Sequence, residues 1–243
     1  GLVESEPVSA ASSTGALLTE GVVTLGGNTA LLPDGAAFKP TAWRLLLSGH
    51  DAISQVPAGR WDAAALPATC NALSIQRRRH GGFVDGAELF AHVAFGVSVA
   101  EASAMDPQQR LLLEHGYSSL HAIGYGRVAL TGSLTGVFLG IAFTEFAQVL
   151  AASPAGGSVY AATGSSLSIA SGRVSYVLGL QGPCVSHDTA CSAAVVAAHA
   201  ARRALQLNEC LMAVTLGVNL MLTPAIGTNF GVAGMTSPNG RCH

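Results

Sequence analysis

The sequence predicts an α/β fold, and three features carry that expectation. Short apolar runs bounded by glycine, such as Val137-Phe138-Leu139-Gly140-Ile141 and Ala213-Val214-Thr215-Leu216, have the length and residue types of buried strands. Stretches with helical spacing lie between them, so strands and helices alternate along the chain. The run from Gly182 to Ala194 then reads as a strand, a tight turn and an Ala-rich helix, with Cys191 in the first turn of that helix.

In chain order, residues 1–19 are a Ser/Ala/Glu-rich leader without periodicity, expected to be disordered, and residues 20–243 form the folded domain. Val22-Val23-Thr24-Leu25 before Gly26-Gly27 suggests a first strand and turn. No GxGxxG follows it, so a dinucleotide-binding reading fails. Thr41 to Gly49 has helical spacing, with Trp43, Leu46 and Leu47 apolar and Gly49 as the stop. Residues 63–80 look loop-like. Asp106 caps a helix that opens on Pro107, whose missing N–H would be unpaired there anyway. Leu111, Leu112, Leu113 and Leu120 supply its buried face. Val137–Ile141, Val174–Leu178, Val185-Ser186 and Ala213–Leu216 are strand candidates. Ser192 to Leu207 is a helix apolar on nearly all sides, predicted to lie in the middle of the protein.

Composition narrows the function classes. The hydrophobic fraction is 49% and the charged fraction 11%, against about 25% charged in ordinary soluble domains. No charged residue stands between Glu145 and Arg173, or between Arg173 and Asp188. Gly, Ser and Pro recur through these runs, so they are poor membrane spans and read as buried layers of a larger α/β body or as a partner-facing surface. The chain alone is therefore expected to expose a large apolar face. Net charge is −2, and the solitary basic triplet Arg77-Arg78-Arg79 reads as a solvated loop, without the interleaved aromatics of a nucleic-acid site. The five cysteines, Cys70, Cys184, Cys191, Cys210 and Cys242, form no CxxC pair and no zinc spacing, so no disulfide framework, metal or other cofactor is indicated. Their odd number and the lack of an Asn-x-Ser/Thr sequon favour a reducing, intracellular setting, cytoplasm or plastid. Residues 1–15 lack the basic and apolar regions of a secretory signal, and the missing initiator Met makes the chain read as an excerpt.

The candidate catalytic residue is Cys191. A thiol at a helix N-terminus meets the positive end of the dipole and unpaired N–H groups, which favour the thiolate, the nucleophilic form. By itself, a cysteine in an Ala-rich helix is as readily a small buried hydrophobe.

The surrounding blocks decide between these readings. Asp188-Thr189-Ala190-Cys191-Ser192 resembles the nucleophile motif of the β-ketoacyl synthases, the condensing enzymes of fatty-acid and polyketide synthesis. Met105-Asp106-Pro107-Gln108-Gln109-Arg110-Leu111-Leu112-Leu113-Glu114 resembles the helix-opening signature of polyketide-type ketosynthases. Ala170-Ser171-Gly172-Arg173-Val174-Ser175-Tyr176-Val177-Leu178-Gly179-Leu180, running into Gly182-Pro183, is similar to the segment before their active-site strand. Gly217-Val218-Asn219-Leu220 and Ser237-Pro238-Asn239-Gly240-Arg241-Cys242 match later blocks of the family.

The resemblance implies the thiolase-like layered αβαβα fold, with only its N-terminal half present. It also implies decarboxylative Claisen condensation of an acyl group held on Cys191 with a malonyl extender. The substrates would ride on the phosphopantetheine arm of an acyl carrier protein, and the chain would form a homodimer. The family drives decarboxylation with two histidines in later motifs, and neither motif occurs before His243. His199 cannot substitute, since eight residues of helix rise about 12 Å from Cys191. His187 replaces the family's usual aliphatic residue and reads as a packed, hydrogen-bonded strand histidine. His50, His80, His92, His115 and His121 read as ordinary. Two alternatives stand beside the enzyme: a catalytically incomplete interaction module, and a thiolase-type acyltransferase. The Asp-Pro-Gln-Gln-Arg block favours a ketosynthase over the second.

Overall fold

A computed structural model describes residues 22–35, 39–62 and 72–241. The leader, Cys70, Cys242 and His243 lie outside the described residues. In chain order the elements used below are α1 (Lys39–Leu47), β1 (Ser54–Gln55), α2 (Ala72–Arg77), β2 (His80–Gly81), α3 (Val99–Ala104), α4 (Pro107–His121), α5 (Arg127–Leu130), β3 (Thr135–Gly140), α6 (Phe146–Ala151), α7 (Ala161–Gly164), α8 (Leu167–Leu178), β4 (Cys184–His187), α9 (Ala193–Gln206), β5 (Met212–Gly217) and α10 (Ala225–Val232).

The centre is a parallel sheet in the order β4-β3-β5. β3 is buried at every position, which is why it reads as one unbroken apolar run. Its register sets Val137 beside Cys184 and Val214, and Gly140 beside His187 and Gly217. Helices α4 and α8 cover one face and α9 the other, so the α/β prediction holds as helix, sheet and helix layers. The first face is packed with branched side chains: Val137, Leu139, Val174, Leu178, Val214 and Leu216 belong to one buried cluster. The second face packs alanines, Ala197, Ala201 and Ala204, against Phe138 and Cys210.

Helix α4 starts as its sequence dictates. Asp106 accepts from the Gln108 N–H at 2.8 Å, and Pro107 stands at the first helical position. Leu111, Leu112, Leu113 and Leu120 are buried on it, as expected.

Elsewhere the structure corrects the sequence reading. Val174–Leu178 is not a strand but the last part of α8, closed by Gly179 at φ 69°. Two valines in five residues favour a strand locally, yet Ala170, Val174 and Leu178 recur at four-residue spacing. That spacing makes one buried stripe on a helix and leaves Tyr176 exposed. Val22–Leu25 forms no strand either. A groove of about 1260 Å³ lies between residues 22–31 and the edge of β5, so this segment has no strand to pair with. Residues 63–80 are not all loop, because α2 runs through Ala72–Arg77, and Arg78 is buried at 6% exposure instead of solvated. Helix α9 is not buried all round: Ala193, Ala197, Ala201 and Ala204 face inward while Val195 is exposed. Val128, Val159 and Leu211 are also open to solvent. Among the described residues no helix is long and apolar enough to cross a membrane.

Candidate active site at the carboxyl ends of the strands

Cys191 stands where β4 gives way to α9, at the carboxyl end of the parallel sheet, the usual place for sites in open α/β folds. It is not inside the first turn of the helix. It belongs to a short 3-10 turn, Ala190–Ser192, immediately ahead of α9. Local hydrogen bonds hold that turn. Asp188 Oδ1 accepts from the Ala190 N–H at 3.1 Å, and the Ser192 hydroxyl donates to the Thr189 carbonyl at 2.8 Å. The Ser192 N–H reaches the same carbonyl, and the Ala193 N–H bonds to the Ala190 carbonyl. None of the bonds within this turn uses the Cys191 N–H.

Ala190 has φ 55°, in the left-handed region. A non-glycine residue held there costs on the order of 1–3 kcal/mol, and such strain concentrates at functional turns. Its effect is to reverse the chain sharply and leave Cys191 exposed with a free thiol. Cys184 is also exposed, on β4, and Cys210 is buried, which pushes its thiol up and makes it inert.

Small residues bring the turn to this place. A Cβ on Gly140 would fall 2.3 Å from the Ala194 nitrogen, and one on Gly217 would fall 2.8 Å from the Ala194 Cβ. The first turn of α9 therefore rests directly on the ends of β3 and β5. No larger side chain fits between them.

The motif blocks form a polar frame around this end of the sheet. Gln108 Nε2 donates to the Phe143 carbonyl at 2.7 Å, tying α4 to the loop after β3. Gln109 Nε2 donates to the Thr163 carbonyl at 3.1 Å, and its Oε1 accepts from Arg173 Nε at 2.8 Å. Arg173, buried, is also paired with Glu101. Arg110 clamps the Met105 carbonyl through Nε at 2.9 Å and Nη2 at 2.7 Å. Burial pushes the Asp106 carboxyl up, against the hydrogen bonds from Gln108 and the charge of Arg110. The Ser186 hydroxyl lies 2.8 Å from both the Leu167 carbonyl and Ser171 Oγ, fixing β4 to α8. Arg241 pairs with Asp51 and so closes the Ser237–Arg241 block onto the segment just before β1.

Glu145 is a residue the sequence reading did not single out. It is buried and accepts from the Leu222 N–H at 2.7 Å, the Thr223 N–H at 3.1 Å and the Thr223 hydroxyl at 3.0 Å. It thereby joins the loop after β3 to the loop after β5. Its signal was present: a lone charge at the head of a long uncharged run must find its partners inside the protein.

His187 departs from expectation. Its Nε2 is buried with no hydrogen-bond partner among the described residues, where a hydrogen-bonded ring was expected. In the sheet it lies beside Gly140, next to Ser186, which bonds to Ser171 on α8. His50 meets Asp34 at 2.6 Å, and His92 Nδ1 lies 2.7 Å from the Val97 carbonyl. Burial pushes the His115 ring down from its ordinary value. His199 is exposed on α9. Among the described residues no group of three or more His, Cys, Asp or Glu stands close enough to hold a metal ion.

An exposed thiol on a strained turn ahead of a helix, with a backbone N–H that no bond within the turn uses, suits attack on a thioester carbonyl. The sequence profile described as "Beta-ketoacyl synthase, N-terminal domain" matches residues 20–243. The chain is 42% identical over 226 residues to the mycoketide-CoA synthase of Mycobacterium tuberculosis, covering 92% of this chain and 5% of that protein. It is 39% identical over 243 residues to the spectinabilin polyketide synthase system protein NorC of Streptomyces orinoci, covering 98% of this chain and 10% of that protein. In structure it resembles the ketosynthase from module 6 of the bacillaene synthase of Bacillus subtilis 168, with TM-score 0.79 and 34% identity over 90% of this chain and 36% of that one. An oxazolomycin ketosynthase domain from Streptomyces albus JA3453 aligns with TM-score 0.78 and 32% identity, over 90% of this chain and 39% of that one. The chain thus spans a tenth or less of the length of these two curated relatives and over a third of the solved ketosynthases. The thiolase-like fold class expected from the motifs is the one these structures share. The chain belongs to the β-ketoacyl synthase family and corresponds to its N-terminal domain.

Proposed function

We propose that this chain carries the acyl-accepting nucleophile of a polyketide-type ketosynthase. The Cys191 thiolate attacks the carbonyl of an acyl thioester on the phosphopantetheine arm of an acyl carrier protein. A new S–C bond forms on Cys191, and the carrier sulfur leaves as a thiolate and takes up a proton. The Cys191 N–H supplies one donor to the developing oxyanion. Condensation with a malonyl extender follows in the same reading, and its decarboxylation calls on histidine motifs that these 243 residues do not contain. An intracellular, reducing setting keeps the exposed thiol competent. A homodimer belongs to the proposal, supported by β4, an edge strand whose Cys184 and Val185 are exposed.

The observation that carries the proposal is the strained Ala190 turn, which leaves a free, exposed thiol at the carboxyl ends of the strands. Incubation of the purified protein with a labelled acyl thioester, followed by peptide mass spectrometry, tests it. The acyl group is expected on Cys191, and Cys191→Ala is expected to abolish loading. Label on Cys184 with Cys191 unmodified overturns the reading.

A further inference from the structure

The ends of β3 and β5 carry the first turn of α9 together. A side chain at Gly140 or at Gly217 would strike Ala194, and the Val218 N–H reaches the Gly140 carbonyl at 3.2 Å. Whatever holds the loops beyond these two glycines therefore bears on Ala194, and through the short Ala190–Ser192 turn on Cys191.

The two loops are held differently. Residues 141–145, leaving β3, are anchored from α4, where buried Gln108 donates from Nε2 to the Phe143 carbonyl at 2.7 Å. They run on into α6, whose Phe146 and Leu150 are buried. Residues 218–224, leaving β5, are held by Glu145 at the end of that anchored loop. Its Oε2 accepts from the Leu222 and Thr223 N–H groups, and its Oε1 from the Thr223 hydroxyl. The same hydroxyl accepts from the Ala225 N–H at 3.3 Å, which carries the tie into α10. A buried carboxylate is costly unless donors surround it, and here the donors belong to the loop it holds. Such charge-assisted bonds are about twice as strong as neutral ones. The anchored loop is the fixed part, so the carboxylate draws the β5 loop onto it.

We infer that Glu145 is a positioning residue for the Cys191 turn. By fixing the loop that leaves β5 it fixes Gly217 under Ala194, and so the direction from which the thiol meets an acyl carbonyl. This role rests on the proposed acyl loading of Cys191, and Glu145 acts in it through the loop and α9.

Two variants test the role with a labelled acyl thioester as the probe. Glu145→Gln keeps the size of the side chain but turns one acceptor into a donor facing a donor. Thr223→Val is milder, since it leaves the carboxylate and both main-chain bonds in place. The rate constant of loading is expected to fall about tenfold in Glu145→Gln and several-fold in Thr223→Val, with KM unchanged, as a small misplacement of a reacting group produces. Cys210, 2% exposed, should stay unmodified by iodoacetamide in both, which reports that the fold is kept. Amide hydrogen exchange should quicken in residues 218–224 and also in residues 190–194, while β3 exchanges as in the wild-type protein. Wild-type loading in both folded variants, a loss carried by KM at an unchanged rate constant, or quickened exchange confined to residues 218–224 overturns the proposal. If Glu145→Gln fails to fold, Thr223→Val decides. Exchange needs no acyl transfer, so it decides the positioning role even where the wild-type protein takes up no acyl group, an outcome that sinks the proposed function alone.

Discussion

The two faces of the β4-β3-β5 sheet are built from different materials. Under α8 and α4 the packing is by Leu and Val, with Leu139 and Val174 fully buried. Under α9 it is by alanines on Phe138, and at the strand ends by helix backbone against Gly140 and Gly217. Branched side chains bury more apolar area per residue, so the α8 face supplies most of the hydrophobic stabilisation. Small residues bury less but let backbones approach closely, so the α9 face sets position. The difference teaches that stability and placement of the Cys191 turn are carried by opposite faces of one sheet, and mutations are expected to separate them.

The largest effect on stability is expected on the α8 face. Leu139→Ala removes a fully buried side chain and should cost about 2–5 kcal/mol, read from denaturant unfolding. The rate of Cys191 alkylation in the protein that remains folded should stay close to wild type. A parallel loss of thiol reactivity would break the distinction between the faces.

On the α9 face the signature should reverse. Gly140→Ala places a Cβ 2.3 Å from the Ala194 nitrogen, so the first turn of α9 must move away from the sheet. The stability cost is expected at about 1–3 kcal/mol, as for overpacking in general. Acyl loading of Cys191 should fall by at least about tenfold, as a small misplacement of a reacting group produces. Full loading activity in a folded Gly140→Ala protein would show that close approach does not position the Cys191 thiol.

The smallest expected effect concerns the polar frame shared by both faces. Asp106 caps α4 and is buried, with its carboxyl pushed up from the ordinary 3.8. Asp106→Ala removes the cap and should cost about 1 kcal/mol. Asp106→Asn keeps an acceptor without the charge. Because the folded-state value is raised, the proton on Asp106 stabilises the fold below pH 3.8, and this contribution fades as pH rises through the folded value. The Asn variant should therefore gain on wild type as pH is raised from acid toward neutrality. Unfolding measured across that range checks the sign, and a gain on acidification would contradict it.

Much of this was legible beforehand, for identifiable reasons. β3 and β5 announce themselves because short apolar runs between glycines have few alternatives, and α4 because its Asp-Pro start is local chemistry. The identity of Cys191 as candidate rests on an ordered set of motifs, which needs no coordinates. The misread Val174–Leu178 shows the limit. A strand-like pair of valines was overruled by a four-residue stripe whose partners, Val137, Leu139 and Leu216, come from distant strands. Val22–Leu25 failed for the matching reason, since a strand exists only where another strand pairs with it.

The sequence by itself determined the fold class, the strands β3, β4 and β5, the start of α4, the family and the candidate nucleophile, because each depends on local periodicity, caps or motif order. Only the tertiary structure decided that Ala190 takes a left-handed turn, that Gly140 and Gly217 carry the start of α9, and that Gln109 meets Arg173. It also decided that Glu145 ties the loop after β3 to the loop after β5. The turn at Ala190 runs against the ordinary backbone preference of alanine, and the others are contacts between segments far apart in the chain, whose geometry is fixed by mutual packing rather than by the propensity of either segment.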